Sequence, residues 1–317
     1  MARVIFMGTP DFAVPALEQL VRGGSEVVAV YAQPDRPSGR GRQIEETPVK
    51  RRALQLGLRV CTPKTLRAPE AIDELRSFSP EVLVVAAYGK ILPQAVLDAA
   101  PKGALNIHPS LLPKYRGPSP LAAAILAGDR ETGVTIMLLD AGMDTGPVLA
   151  QRRTPIHDDD TTGSLGERLA REGAELLTET LSLWLAGSIS PRAQDEREAT
   201  VTKLVEKEDG RIEWSRLARE LWLQTRAYSP WPGSFTTWRG ANVKILQARP
   251  LDGVYGAPGA IVLLNATGDG ERGRQLAICA GSGALVVERL QLEGKRAMTA
   301  QEFLAGRPDF PGERLPS

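Results

Sequence analysis

Residues 104–117 read ALNIHPSLLPKYRG. An apolar run of Ala104, Leu105 and Ile107 is interleaved with two polar side chains, Asn106 and His108, and breaks at Pro109. Such a run, ending in a loop bounded by Pro, Ser and Gly, has the pattern of a strand that stops at a site. Asn106 and His108 are two residues apart, so on a strand they point to the same face. The chain has only two histidines, His108 and His157. Histidine is the usual proton carrier near neutral pH. An amide donor beside an imidazole at a strand end suits a carbonyl whose oxygen becomes negative during attack.

The neighbouring sequence supplies the sheet and a third group. Val4 to Met7 is an apolar run ending in Gly8-Thr9-Pro10-Asp11; a helix over Phe12 to Val21 and a strand over Val27 to Tyr31 follow. Further strands are expected near Val60, at Val82 to Ala86, Leu105 to His108 and Val134 to Leu138, with helices at Glu70 to Ser77 and Pro120 to Ala127. This order predicts an α/β domain with a Rossmann-like, mostly parallel sheet. The GxGxxG fingerprint of dinucleotide sites is missing after the first strand. Ligands of such sheets bind beyond the carboxyl ends of the strands, where Asn106 and His108 fall. After the Val134 strand comes a Gly-bracketed loop carrying Asp140 and Asp144. A carboxylate beside an imidazole raises its pKa and fixes its tautomer, so Asn106, His108 and Asp144 form a candidate acid–base and oxyanion set. The Asp144-Thr145-Gly146 triplet occurs once, whereas an aspartic protease needs two such carboxylates from two lobes.

Composition bounds the rest. The 317 residues suffice for two domains. Lys plus Arg is 39 against 38 Asp plus Glu, so net charge does not announce a nucleic-acid binder. There is no apolar run of membrane-spanning length and no signal-peptide pattern at the N-terminus. Cys61 and Cys279 lie far apart, which fits reduced thiols in a cytoplasmic protein; no cluster has metal-ligand spacing. From Arg36 to Arg67 there are nine Lys or Arg and two Glu, a local +7, with Arg36, Arg40 and Arg42 in the loop Gln33 to Pro48. Most charge-rich loops are simply solvated, and composition alone favours that reading. His157 with Asp158, Asp159 and Asp160 precedes a helix over Ser164 to Ala186, where acidic groups suit the positive helix end. Residues 190–208 are polar and linker-like, separating an expected domain at 1–189 from one at 209–317. In the latter, a helix is expected over Ile212 to Gln224. Five short strands follow: Phe235 to Trp238, Val243 to Leu246, Ala260 to Leu264, Gln275 to Cys279 and Leu285 to Leu292. They predict a small β-barrel of OB type.

The run from Asn106 through Pro109-Ser110-Leu111-Leu112-Pro113-Lys114-Tyr115-Arg116-Gly117, followed by Asp144-Thr145-Gly146, resembles the formyltransferase family that uses 10-formyltetrahydrofolate. Thr9-Pro10-Asp11-Phe12, Gln33-Pro34-Asp35-Arg36-Pro37 and the stretch around Leu290 to Gly306 extend the resemblance over nearly the whole chain. They point to the branch whose acceptor is methionyl-initiator tRNA. The resemblance implies catalysis by Asn106, His108 and Asp144. It places the folate cosubstrate on Ser110, Leu111, Leu112 and Pro113; the topology adds Tyr88 and Gly89. It implies tRNA contacts from Arg36, Arg40 and Arg42; Lys295 and Arg296 are further candidates. No metal is expected, and a monomer is. The rival acceptors are an amino-sugar nucleotide and water, the latter in a formyltetrahydrofolate hydrolase. The expected mechanism has the Asn106 amide and a protonated His108 holding the oxyanion. Asp144 keeps His108 charged and oriented.

Overall fold

A computed structural model of the chain describes residues 1–38, 43–265 and 274–316. The elements run β1 (Arg3–Gly8), a 3-10 turn, α1 (Val14–Arg22), β2 (Glu26–Tyr31), β3 (Arg36–Ser38), β4 (Gln43–Glu45), α2 (Pro48–Gln55), β5 (Val60–Cys61), α3 (Pro69–Ser77), β6 (Val82–Ala86), α4 (Gln94–Leu97), β7 (Ala104–His108), α5 (Pro120–Ala127), β8 (Glu131–Leu138), β9 (Val148–Pro155) and α6 (Thr162–Leu185). Then follow α7 (Ala218–Ala227), β10 (Ser234–Trp238), β11 (Ala241–Leu251), β12 (Ile261–Asn265), β13 (Arg274–Cys279), β14 (Ala284–Leu292), β15 (Met298–Thr299) and α8 (Ala300–Gly306). By contacts the chain forms two compact units. One is Met1–Pro120, Glu131–Pro155 and Gly166–Lys203; the other is Leu121–Arg130, Ile156–Leu165 and Leu204–Ser317.

The first unit holds a seven-stranded sheet of order β5-β2-β1-β6-β7-β8-β9. The first five strands are parallel and the last two antiparallel. Two-residue periodicity divides its core cleanly. Val4, Phe6, Val84, Leu105, Ile107, Val134 and Ile136 share one cluster with α1 and α6, while Ile5, Met7, Leu83 and Val85 share another with α3 and α4. Leu105 and Ile107 therefore anchor β7 from the α6 side, which leaves Asn106 and His108 on the opposite face. The close seat of α6 depends on Gly173, where a Cβ would stand 2.8 Å from Ile107 Cγ2 and 3.1 Å from Val134 Cγ2. Gly173→Val is expected to cost about 1–3 kcal/mol by overpacking. A lowered urea midpoint at unchanged slope is the check; an unchanged midpoint refutes it.

The basic stretch after β2 is less open than its composition suggests. It contains the β3–β4 hairpin, with Arg36 opposite Glu45, and α2, capped by Thr47 Oγ1 accepting from the Lys50 amide. Arg40 and Arg42 lie outside the described residues.

The second unit centres on an antiparallel sheet of order β10-β11-β14-β13-β12, with β15 on β14. The five expected strands are all present. The expected helix is not as drawn: Ile212 to Leu217 is irregular and α7 begins at Ala218. Ile212 and Trp214 are buried while Arg211, Glu213 and Ser215 are exposed, a period of two rather than of 3.6. Main-chain bonds from Ile212 to Phe235 and from Ala218 to Ser282 tie this segment down at both ends.

Candidate active site

β7 carries Asn106 and His108 to the carboxyl edge of the parallel strands. Val85 of β6 stands opposite Asn106, and on β8 Met137 pairs with Asn106 and Thr135 with His108. His108 is 4% exposed. Its Nε2 lies 3.0 Å from the Tyr115 carbonyl. A carbonyl only accepts, so the neutral ring carries its proton on Nε2 and offers a lone pair at Nδ1. Nδ1 faces Asp144 Oδ2 at 3.6 Å, too long for a hydrogen bond. Burial pushes the imidazole below its ordinary range, against the upward pull of the Asp144 carboxylate and the Tyr115 carbonyl. Burial thus favours the neutral ring at rest, whereas the sequence alone leads one to expect a protonated one. A proton reaching Nδ1 converts the pair into an ion pair in a poorly hydrated site, where Coulomb attraction exceeds that in water.

Asp144 sits at φ +56°, a left-handed conformation that non-glycine residues adopt only when their surroundings hold them. Its Oδ2 accepts from the Gly117 amide at 2.8 Å. Asp140 differs: its Oδ1 accepts from the Gly142 amide and Thr145 Oγ1, so it shapes the turn and stays exposed. Asn106 is 8% exposed and stands two residues before His108 on the same face of β7. Its carboxamide nitrogen is a donor suited to a ligand oxygen bound at this strand edge.

The loop between β7 and α5 is held from within. Thr135 Oγ1 donates to the Ser110 carbonyl at 2.6 Å and accepts from the Leu112 amide, and Gln151 Nε2 donates to the Leu112 carbonyl at 2.8 Å. The Ser110 hydroxyl donates to the Lys114 carbonyl, and Leu112 packs on Met137 and Val148. Both side chains are thus occupied within the fold, whereas Leu111 and Pro113 are half-buried at its surface. The Tyr88 ring lies in the core with Tyr31 and Cys61; only its main chain reaches the strand edge, where its carbonyl accepts from Thr9 Oγ1 and Gln33 Nε2. Gly89 follows at φ +83°.

Residues 192–202 form the outer wall of the loop. The Arg116 amide donates to the Thr200 carbonyl, the Thr202 amide to the Arg116 carbonyl, and the Tyr115 amide to Thr200 Oγ1. Arg116 is buried and bonds Gln194 and Glu196. Polar composition gave no sign of this. Thr135 was more legible, since its parity on β8 puts it beside His108. His157 is exposed, and its carbonyl accepts from Arg226, in keeping with a structural role. Lys295 and Arg296 lie exposed in the turn after β14, with Arg296 paired to Glu302 at 2.8 Å. Among the described residues no group of side chains has the arrangement of a metal site, and no helix is long and apolar enough to cross a membrane.

A strand-end amide, a buried imidazole and a carboxylate at the edge of such a sheet are groups suited to acyl-group transfer. Residues 2–181 match the formyl transferase family and residues 204–308 the formyl transferase C-terminal domain. The chain belongs to the formyl transferase family. It is 51% identical over 315 residues to a methionyl-tRNA formyltransferase of Roseiflexus castenholzii, covering 99% of this chain and 98% of that one. It is 42% identical to the methionyl-tRNA formyltransferase of Geobacter sulfurreducens, covering 99% and 96%. Among solved structures, HypX from Aquifex aeolicus in complex with tetrahydrofolic acid shares the fold at a TM-score of 0.63 and 18% identity, over 98% of this chain and 48% of that one.

Proposed function

We propose that the protein transfers the formyl group of 10-formyltetrahydrofolate to the α-amino group of methionyl-initiator tRNA. The observation that carries the chemistry is the Asn106 carboxamide on the same strand face as His108, whose Nδ1 lies 3.6 Å from Asp144 Oδ2. The acceptor is supported by full-length relatives that bear this activity in their names. The folate cosubstrate supplies the formyl carbon, bound to its N10. Asn106 Nδ2 donates to the formyl oxygen as it gains charge, a contribution of about 3–4 kcal/mol for one such donor. His108 Nδ1, which faces Asp144, takes the proton shed by the attacking amine. The resulting ion pair holds that proton until it is returned to the leaving nitrogen. Leu111, Pro113 and the main chain at Tyr88 and Gly89 are the surfaces offered to the folate.

Residues 1–189 serve as the catalytic domain. The antiparallel sheet of residues 209–317 is read as an OB-like barrel that holds the tRNA, aided by Lys295 and Arg296. A cytoplasmic monomer suits a translation enzyme. Mixing the protein with 10-formyltetrahydrofolate and methionyl-initiator tRNA should yield formylmethionyl-tRNA; absence of product with folate still bound moves the acceptor elsewhere. An amino-sugar acceptor has no observation of its own in this chain.

Arg36, Arg40 and Arg42 are read as phosphate contacts. Neutralising all three should weaken tRNA use and flatten the slope of log(kcat/KM) against log[salt] by about 2–3, near one unit per contact. Equal slopes for variant and parent remove the loop from the tRNA site.

A further inference from the structure

Residues 182–203 fall between the two family matches, and their sequence reads as a connector. In the structure they carry a side chain that ties the turn bearing Asp144 to Arg116. Gln194 Nε2 donates to the Asp144 carbonyl at 2.8 Å and to the Gly146 carbonyl at 2.7 Å. Its Oε1 accepts from Arg116 Nε at 3.0 Å and from a terminal Arg116 nitrogen at 2.9 Å. Both amide hydrogens and both lone pairs are used. Arg116 is itself fixed by a two-pronged pair with Glu196, at 2.7 and 2.8 Å. Such a fork sets the plane of the guanidinium, and so the plane of the Gln194 amide.

We propose that Gln194 is a positioning residue: its amide, aligned by Arg116 and Glu196, clamps the Asp144–Gly146 turn so that the Asp144 carboxylate faces Nδ1 of His108. The inference rests on the reading of His108 and Asp144 as the proton-handling pair. Two features make the clamp necessary. Asp144 is held at φ +56°, from which a free turn relaxes. Its carboxylate also has one anchor of its own, the Gly117 amide, so the carboxylate's direction follows the backbone that Gln194 holds. Only a carboxamide fits the place, because the group must donate to two carbonyls while accepting from a guanidinium. A carboxylate satisfies Arg116 but turns lone pairs on both carbonyls.

The test uses Gln194→Glu and Gln194→Met, both close to glutamine in volume. The chain has two histidines, so a histidine-labelled sample gives two ring titrations by NMR, and His157→Gln assigns them. The groups facing the His108 ring are the Asp144 carboxylate and the Tyr115 carbonyl. Asp144 holds the His108 pKa up against burial. Letting the carboxylate swing away should therefore move that titration to lower pH in both variants. Turnover should fall about 10- to 100-fold, the scale of a 1 Å misplacement, with KM for both substrates within about threefold. Gln194→Glu should be no better than Gln194→Met although it keeps the Arg116 pair. Parental turnover in Gln194→Met, or lost turnover with an unmoved His108 titration, overturns the proposal. The titration needs no substrate. An inactive parent protein thus defeats the formyl-transfer reading, while an unmoved titration defeats the clamp.

Discussion

His108→Ala lowers turnover by about 10²- to 10⁴-fold, the usual range for a positioned acid–base group. The loss falls on kcat, because a ring 4% exposed, with Nε2 committed to the Tyr115 carbonyl, contributes little to holding either substrate. The pH dependence gives the sharper check. In the proposed mechanism the neutral ring is the active form, and burial depresses its pKa below the ordinary histidine value. The parent should therefore keep full turnover as the pH falls to the usual histidine range, and lose it only on further acidification. That acid limb should vanish from the residual activity of His108→Ala. In Asp144→Asn it should move to still lower pH, because the carboxylate is what raises the ring's pKa. A parental limb above the ordinary histidine range, or an identical limb in His108→Ala, contradicts the assignment.

The strand Ala104–His108 was legible because its information is local. Leu105 and Ile107 bury against α6, and the two-residue period then sends Asn106 and His108 the other way. The same parity in β8 puts Thr135 beside His108, a step open to any reader who paired the two strands. What the sequence hid lies in long-range contacts. Gln194 is 50 residues from the carbonyl it clamps, and nothing in a polar stretch marks one glutamine from another. β9 was missed because its edge position leaves Gln151, Arg152 and Arg153 partly in solvent, erasing the apolar signal. The segment from Ile212 misled for the opposite reason. Trp214, Leu217 and Leu221 imitate helical spacing, but main-chain bonds to Phe235 and Ser282 decide its conformation. For the charge state of His108, proximity to Asp144 is visible in a motif, and the burial that opposes protonation is not.

Asn106→Ala is expected to cut kcat by about 10²- to 10³-fold, the effect of deleting one oxyanion donor. KM should change little, since the donor acts on charge that develops only as the amine adds. The folding consequence should be small, since a donor held for the transition state does not hold the fold together. The urea midpoint of Asn106→Ala should thus stay near the parent's while its turnover collapses. A structural asparagine gives the reverse, a lowered midpoint with activity falling in step. Asn106→Asp separates charge from shape. The side chain is the same size, but a carboxylate repels an oxyanion and holds a proton on the nearby His108, so its loss should exceed that of alanine and its acid limb should shift upward. An aspartate variant as active as the parent removes Asn106 from the oxyanion role.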